Sequence, residues 1–211
     1  MKKFFVIAFA LLVASTTISS AQIPTYEELI KKDWAGYSRF SQDNGRVPQG
    51  QVIFMGDSIT EVWNSLDHEF FVTNGFVSRA ISGQTTEQML CRFYQDVIAL
   101  KPRAVVLLAG TNDIAMNNGF ISKENIIMNL KAMCELATKH GIKVYICSIL
   151  PCSEYAWRPQ IKHSTEWIKD INAEMKAYAS KHGKVTYIDL FNKVKGRKDG
   201  LDKNYTSDGC H

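Results

Sequence analysis

The serine at position 58 has the surroundings of a nucleophile. It follows Gly56, Asp57 and a short apolar run, Val52 to Met55, whose β-branched and aromatic side chains predict a buried strand. Helical residues come next, so the hydroxyl would lie beside helix N–H groups that suit a developing negative charge. Thr60 excludes the nucleophile-elbow pattern G-x-S-x-G, which needs a glycine at that position. Because an isolated serine here more often only caps a helix, the interpretation depends on the rest of the chain.

Three further polar blocks accompany the serine block. Ile81-Ser82-Gly83 and Gly110-Thr111-Asn112-Asp113 each follow a predicted strand, and Asp208-Gly209-Cys210-His211 occupies residues 208–211. In open parallel sheets, ligands bind beyond the carboxyl ends of the strands, where such blocks would meet. Together they supply a nucleophile, oxyanion donors, a base and a carboxylate to orient the base, which are the parts of an acyl-transfer site.

The elements that would position these blocks alternate along the chain. Apolar runs predict five buried strands, at residues 52–55, 76–81, 104–109, 142–148 and 185–188. Amphipathic segments predict helices over residues 25–40, 59–66, 85–100, 122–139 and 164–181. Continuous apolar strands separated by helices are typical of a parallel sheet covered on both faces. We therefore expect one α/β domain with a flavodoxin-like, three-layer α/β/α arrangement and a five-stranded parallel sheet.

The four blocks, in this order, resemble those of the SGNH hydrolases, also called the GDSL-like lipase/acylhydrolase family. Gly56-Asp57-Ser58 is similar to the serine block, and the other three are similar to the glycine, asparagine and D-x-x-H blocks. The resemblance extends from about residue 51 to residue 211. Four blocks in the same order are far more specific than any one of them.

The resemblance implies a role for each matching residue. Ser58 would attack the ester carbonyl, His211 would take its proton and return it to the leaving alcohol, and Asp208 would orient the histidine. The backbone N–H groups of Ser58 and Gly83, with the side-chain amide of Asn112, would form the oxyanion hole. No cofactor and no metal is implied, and the sequence has no C-x-x-C or H-E-x-x-H pattern that would predict a zinc site.

Three aromatic residues are candidates for contact with the substrate. Trp63 follows the serine by five residues, and Tyr155 and Trp157 lie in the loop after the fourth predicted strand. Each position is as consistent with ordinary packing as with a pocket wall. The resemblance also implies a closing helix after the histidine, so we expect the hydrolase domain at residues 22–211 to lack its C-terminal helix.

Residues 1–21 predict a signal peptide. Lys2 and Lys3 precede an apolar core from Phe4 to Val13, and small residues follow at positions 19–21. The core is too short to anchor the chain in a bilayer, and the first cysteine, Cys91, is too distant from the cleavage position for a lipoprotein. We therefore expect an exported protein, periplasmic or secreted, without an integral membrane segment after cleavage.

The cysteines do not form the pattern of a small disulfide scaffold, because there are five of them and that number is odd. Cys91, Cys134 and Cys147 fall on apolar faces of predicted elements, which is typical of buried thiols. Cys147 and Cys152 are close enough in sequence to pair, and the sequence leaves this open. Cys210 occupies a position where an apolar residue is expected.

The function that these features favour is that of an exported serine esterase. It would remove short acyl groups, acetyl foremost, from a small-molecule or glycan ester, the alcohol being a carbohydrate or a lipid. The formal net charge of +4, which falls to +2 without the two leader lysines, gives no support for a nucleic-acid partner. The alternative is a catalytically weak carbohydrate- or lipid-binding protein on the same fold.

Overall fold

The computed structural model of the protein describes residues 25–210, apart from the side chains of Ile30 and Lys198. The predicted signal peptide at residues 1–21 and the predicted base, His211, therefore lie outside the described residues. Among the residues that are described, no helix combines the length and the apolar character needed to cross a bilayer.

The described residues fall into two units, the first ending at Lys32 and the second beginning at Asp33. In the first unit, helix α1 (Tyr26–Ile30) begins at a capping box. The hydroxyl of Thr25 accepts from the N–H of Glu28 at 3.3 Å, and the carboxylate of Glu28 accepts from the N–H of Thr25 at 2.8 Å. These two bonds satisfy N–H groups that the first turn of a helix otherwise leaves unpaired.

A five-stranded sheet forms the centre of the second unit. Its strands are β1 (Val52–Gly56), β2 (Phe76–Ser78), β3 (Ala104–Leu108), β4 (Lys143–Cys147) and β5 (Val185–Ile188). They lie in the order β2-β1-β3-β4-β5, and every neighbouring pair is parallel. The predicted flavodoxin-like sheet is thus confirmed. In this order β2 lies on one side of β1 and β3 lies on the other. The connections that follow β1 and β3 therefore run in opposite directions, which leaves a crevice beyond the carboxyl end of β1.

Helices connect the strands of the second unit. They are α2 (Ser41–Asn44), α3 (Ser58–Leu66), α4 (His68–Thr73), α5 (Thr86–Asp96), α6 (Thr111–Ile114), α7 (Lys123–Lys139), α8 (Ser164–Ser180) and α9 (Phe191–Val194), with 3₁₀ turns at Ile98–Leu100 and Arg197–Asp199.

The predicted helix over residues 25–40 is wrong. Helix α1 ends well before residue 40, and within the second unit the backbone turns after Asp33. The carboxylate of Asp33 accepts from the N–H of Tyr37 at 2.8 Å and from the N–H of the next residue at 2.7 Å. Gly36 has a φ of +72°, in the left-handed region. A side chain that competes for backbone donors, followed by a left-handed glycine, overrides the helical spacing of the aromatic residues.

Alternate strand positions face the two sides of the sheet. Ile53 and Met55 of β1 belong to the larger core, which contains the apolar faces of α5, α7 and α8. Val52 and Phe54 belong to a smaller core with Phe71 of α4. Helices on both sides confirm the predicted three-layer arrangement.

The smaller core lies under α3 and α4, which pack on β1 and β2. The ring of Phe54 meets Phe71 and Trp63 edge to face, with centroids 5.2 and 5.6 Å apart. Farther along the same face, over β3 and β4, Val106 and Tyr145 help to line a groove of about 380 Å³. The loops that carry the polar blocks lie instead at the carboxyl edge of the sheet.

Candidate active site

The serine block forms a tight turn from β1 into α3. A Cβ on Gly56 would lie 2.5 Å from the Thr60 hydroxyl and 2.9 Å from the carbonyl oxygen of Leu108, so only glycine allows this approach. The buried carboxylate of Asp57 accepts from the N–H of Ile59 at 3.1 Å and caps the helix. Ser58 is therefore the first residue of α3 and not its cap.

A pocket of about 260 Å³ brings the serine, glycine and asparagine blocks together. Its lining residues are Ser58, Gly83, Thr111, Asn112, Asn117, Trp157 and Cys210. Four of the predicted site residues, Ser58, Gly83, Asn112 and Trp157, which are far apart in sequence, thus surround one cavity. Asn117 was not predicted, because it belongs to no block and follows no periodic pattern.

Gly83 presents its backbone at this pocket. Its φ is +77°, a conformation that side chains other than glycine rarely adopt. No atom lies within 4 Å of where a Cβ would be, so the glycine is needed for its backbone conformation and not for space. Within residues 25–210, the N–H of Gly83 donates to no other group. It can therefore donate to a bound anion.

Glu61 of α3 holds the loop that contains Gly83. Its carboxylate accepts from both the N–H and the hydroxyl of Ser82, the N–H at 2.8 Å. Arg39 adds an ion pair at 3.3 Å. Burial by itself raises the pKa of Glu61, but the hydrogen bonds from Ser82 and the charge of Arg39 outweigh it, and the pKa is lowered. The serine helix and the glycine loop are thus joined by an ionised side chain.

A chain of hydrogen bonds through two side chains and one backbone carbonyl holds Asn112. The indole N–H of Trp157 donates to Oδ1 of Asn117 at 3.0 Å, and Nδ2 of Asn117 donates to Oδ1 of Asn112 at 2.7 Å. Nδ2 of Asn112 then donates to the carbonyl oxygen of Gln84 at 3.0 Å. An NH₂ group has two hydrogens, so this bond leaves the second hydrogen of Asn112 for another acceptor.

The next residue, Asp113, joins the asparagine block to the start of α5, the helix that follows the glycine block. Its fully buried carboxylate accepts from the N–H of Thr86 at 2.9 and 3.0 Å and from the Thr86 hydroxyl. It thereby caps α5 from a distant part of the chain. Burial raises the pKa of Asp113 to about 6, although the bonds from Thr86 act in the opposite direction.

A buried polar network lies under the glycine loop. Gln84 donates to the carbonyl oxygen of Ala35 at 2.7 Å and accepts from Nε of Arg92 at 2.8 Å. The guanidinium of Arg92 also pairs with Asp96 at 2.9 Å, and both of those side chains are fully buried. Asn44 donates to the other oxygen of Asp96 at 2.7 Å. Gln84, the residue after Gly83, is therefore held in place by this buried network.

The three aromatic candidates have different surroundings. Trp157 lines the pocket. Tyr155 is fully buried, its hydroxyl lies 3.1 Å from the Thr111 hydroxyl, and its ring lies 5.2 Å from the ring of Trp157. Tyr155 thus packs against Trp157 from the interior of the protein. Trp63 packs in the aromatic cluster over β1, with Phe70 at 5.6 Å, and is not among the residues that line the pocket.

Asp208 lies in a turn at the end of the described chain. Its Oδ1 accepts from the Thr206 hydroxyl at 3.1 Å and from the N–H of Cys210 at 2.9 Å. The N–H of Gly209 donates to the same hydroxyl at 2.8 Å. These bonds close the turn and direct Cys210 into the pocket lining. His211, the next residue, lies outside the described part.

The sequence profile of the GDSL-like lipase/acylhydrolase family matches residues 54–211, which is most of the chain. The protein therefore belongs to this family, as the four blocks predicted. A Bacteroides fragilis protein assigned as an acylhydrolase is 41% identical, with a TM-score of 0.82 over 85% of this chain and 89% of that one. A GDSL-like lipase of Bacteroides thetaiotaomicron is 40% identical, with a TM-score of 0.81 over 85% of this chain and 90% of its own.

A curated relative matches a shorter segment. The lipoprotein YqeF of Bacillus subtilis is 36% identical over 81 residues, which are 37% of this chain and 33% of that protein. The match thus spans about a third of the length of that relative.

Proposed function

We propose that the protein is an exported serine esterase that removes short acyl groups, acetyl in particular, from a carbohydrate or a lipid. The observation that carries the proposal is the single pocket lined by Ser58, Gly83, Asn112 and Cys210, the neighbour of His211. A nucleophile and donors for an oxyanion around one cavity suit acyl transfer. Membership of a family of lipases and acylhydrolases supports the same reaction class.

The first half of the reaction forms an acyl-enzyme. Oγ of Ser58 attacks the ester carbonyl carbon, and His211 takes the hydroxyl proton while Asp208 stabilises the resulting imidazolium. The carbonyl oxygen becomes an oxyanion that accepts from the N–H groups of Ser58 and Gly83 and from Nδ2 of Asn112. When the tetrahedral intermediate collapses, the bond to the alcohol breaks, and the alcohol leaves with the proton from His211.

The second half repeats these steps with water. His211 takes a proton from a water molecule, which attacks the acyl carbon, and the same donors hold the oxyanion. Collapse releases the carboxylic acid and returns the proton to Oγ of Ser58. The enzyme regains its starting state without a metal or a cofactor in the scheme.

The dimensions of the pocket favour a short acyl group. Its volume of about 260 Å³ is below the roughly 300–1,000 Å³ typical of sites for drug-sized ligands. Trp157 lines it and is 40% exposed, and an indole at the rim of a pocket suits contact with a sugar ring or a glycerol backbone. We therefore place the acyl group in the pocket and the alcohol against Trp157.

Export rests on the leader at residues 1–21 and on the relative from Bacillus subtilis, which is a lipoprotein. Because the first cysteine of this chain is Cys91, the leader has no nearby thiol for a lipid anchor. We therefore assign the mature protein to the periplasm or the exterior.

Hydrolysis of p-nitrophenyl acetate, butyrate and octanoate by the purified full chain tests the proposal. We expect kcat/KM to fall from acetate to octanoate, and kcat to fall by roughly 10⁴–10⁶ in Ser58→Ala. The matched control is Ser65→Ala, which removes an exposed serine of the same helix whose hydroxyl bonds only to the carbonyl oxygen of Glu61, at 3.0 Å. It should keep wild-type activity.

Two other outcomes would contradict different parts of the proposal. If Ser58→Ala kept more than about a tenth of the wild-type activity, another group would be the nucleophile. If the folded wild-type protein hydrolysed none of the three esters but bound an acetylated oligosaccharide or an acetylated glycerolipid, it would be a binding protein on a hydrolase fold.

A further inference from the structure

Cys152 and Cys210 lie in the same part of the core. Cys152 follows β4 in the loop that carries Trp157, and Cys210 follows Asp208 in the terminal turn. The two residues are 1% and 4% exposed. The terminal segment runs beside that loop, since a Cβ on Gly200 would lie 3.1 Å from the hydroxyl of Ser153.

Both cysteines are free thiols in the structure, and their side chains interact with each other. The S–H of Cys152 donates to the carbonyl oxygen of Glu154 at 3.3 Å, which leaves its sulfur to accept from Cys210. This bond lowers the pKa of the Cys152 thiol, whereas the same bond and burial raise the pKa of the Cys210 thiol. Tyr155, which supports Trp157, lies near both sulfurs.

The other cysteines lack such a partner. Cys134 and Cys147 are buried, and burial raises the pKa of each thiol to about 12. Cys91, which the sequence placed on an apolar face, is exposed. The reason is that it lies two residues from both Met89 and Phe93, which puts it on the opposite side of α5. The pairing of Cys147 with Cys152 that the sequence left open gains no support from these surroundings.

We propose that Cys152 and Cys210 form a disulfide that fastens the histidine-bearing segment to the loop after β4. The inference rests on the proposed export, because disulfides persist in oxidising compartments and thiols stay reduced in the cytoplasm. An external disulfide is the oxidant. One thiolate displaces a thiol from it to give a mixed disulfide, and the second thiolate displaces the other thiol. The two cysteines lose two electrons and two protons, and the oxidant is reduced to two thiols.

The bond would act next to the predicted catalytic base. Cys210 is the neighbour of His211, and its N–H already donates to Asp208 at 2.9 Å. A covalent tie at Cys210 would restrict the position of the following residue, and a displacement of about 1 Å can cost roughly 10²-fold in rate.

Peptide mapping tests the pairing independently of activity. The full chain is secreted through a bacterial periplasm, alkylated in denaturant without reductant, and digested with trypsin. The Cys210 peptide (residues 204–211) should be recovered linked to residues 144–162, which carry both Cys147 and Cys152. The Cys147→Ser variant assigns the bond, because the link should survive in it. Recovery of residues 204–211 in alkylated form, or loss of the link in Cys147→Ser, would overturn the proposal.

A thermal measurement gives a second readout. Reduction of the wild-type protein should lower Tm by about 5–10 °C, as expected for loss of a bond that closes a long loop. The double variant Cys152→Ala/Cys210→Ala should not respond to reductant, and Cys91→Ser should respond as wild type does. An unchanged wild-type Tm on reduction would contradict the proposal, even if the double variant failed to fold. Ester hydrolysis without a disulfide would refute the pairing and leave the proposed function intact.

Discussion

Nδ2 of Asn117 donates to Oδ1 of Asn112 at 2.7 Å. A carboxamide can present either its oxygen or its NH₂ group toward a pocket, and the neighbouring donors and acceptors decide which. Here a donor faces Oδ1 of Asn112 and an acceptor, the carbonyl oxygen of Gln84, faces Nδ2. The NH₂ group is therefore fixed on the side of the glycine block. We infer that Asn117 is a positioning residue for the proposed oxyanion hole.

Asn117→Asp tests this inference with a side chain of the same size. An ionised carboxylate accepts but does not donate, so it would repel Oδ1 of Asn112 and favour the flipped amide. We expect kcat to fall toward the roughly 10²–10³-fold loss typical of removing one oxyanion donor, with little change in KM. The measurement is steady-state hydrolysis of an acetyl ester.

The matched control is Asn118→Asp. Asn118 is exposed and accepts from the indole N–H of Trp34 at 3.0 Å, so the change adds the same charge without touching Asn112. It should leave kcat within about twofold, as surface changes away from such features usually do. Equal losses in the two variants would mean that charge, and not amide orientation, is responsible.

Glu61 provides a second prediction, on the glycine loop. Glu61→Ala removes the acceptor of both Ser82 bonds and should let the Gly83 N–H move, so kcat should fall by about tenfold or more. Glu61→Gln keeps one carbonyl acceptor and should recover part of the activity. Glu69→Ala, on the exposed side of α4, is the control and should be neutral. Full activity in Glu61→Ala would show that the loop holds its conformation unaided.

The buried ion pair predicts a larger effect on stability. Arg92→Met would remove the ion-pair partner of buried Asp96, and breaking such a pair typically costs about 3–5 kcal/mol in the free energy of unfolding. Arg92→Met/Asp96→Leu should be less destabilised than Arg92→Met, because the buried carboxylate that lost its ion-pair partner is then removed as well. Urea unfolding measures both variants, with Arg103→Met at an exposed site as control. A double variant less stable than the single one would contradict this account.

The sequence predicted the sheet well and the short helices poorly. The five strands are short segments made mostly of apolar residues, and the longest helices carry apolar residues at regular spacing, so these patterns were sufficient. Helices α4, α6 and α9 have six, four and four residues, which is too few for a helical period to be recognised. They arise from the surrounding contacts, as when Thr86 and Asp113 join α5 to α6.

The sequence predicted those residues of the candidate site that belong to the polar blocks. Ser58, Gly83 and Asn112 belong to the blocks and line one pocket. Trp63 was chosen for its closeness to Ser58 in sequence, but five helical residues make about 1.4 turns and lead to another face. Asn117 acts through another side chain across a turn, and no spacing rule marks such a contact. The partner of Cys152 could not be predicted either, because it lies in a distant segment.

The raised pKa of Asp113 gives the last prediction, on how stability depends on pH. Its folded pKa is about 6, against a usual value of 3.8, so the folded state binds the proton more tightly than the unfolded state. The stabilising contribution of the protonated form is complete below about pH 4 and is lost as the pH rises through 6. Each pKa unit corresponds to about 1.4 kcal/mol.

Asp113→Asn cannot ionise and should lack this loss, so its stability relative to wild type should increase between pH 4 and 6.5 and then stay constant. Thermal or urea unfolding across this range checks it, with the exposed Asp67→Asn as control. A difference between Asp113→Asn and wild type that did not vary with pH would mean that the Asp113 carboxylate stays ionised in the folded protein, held by Thr86.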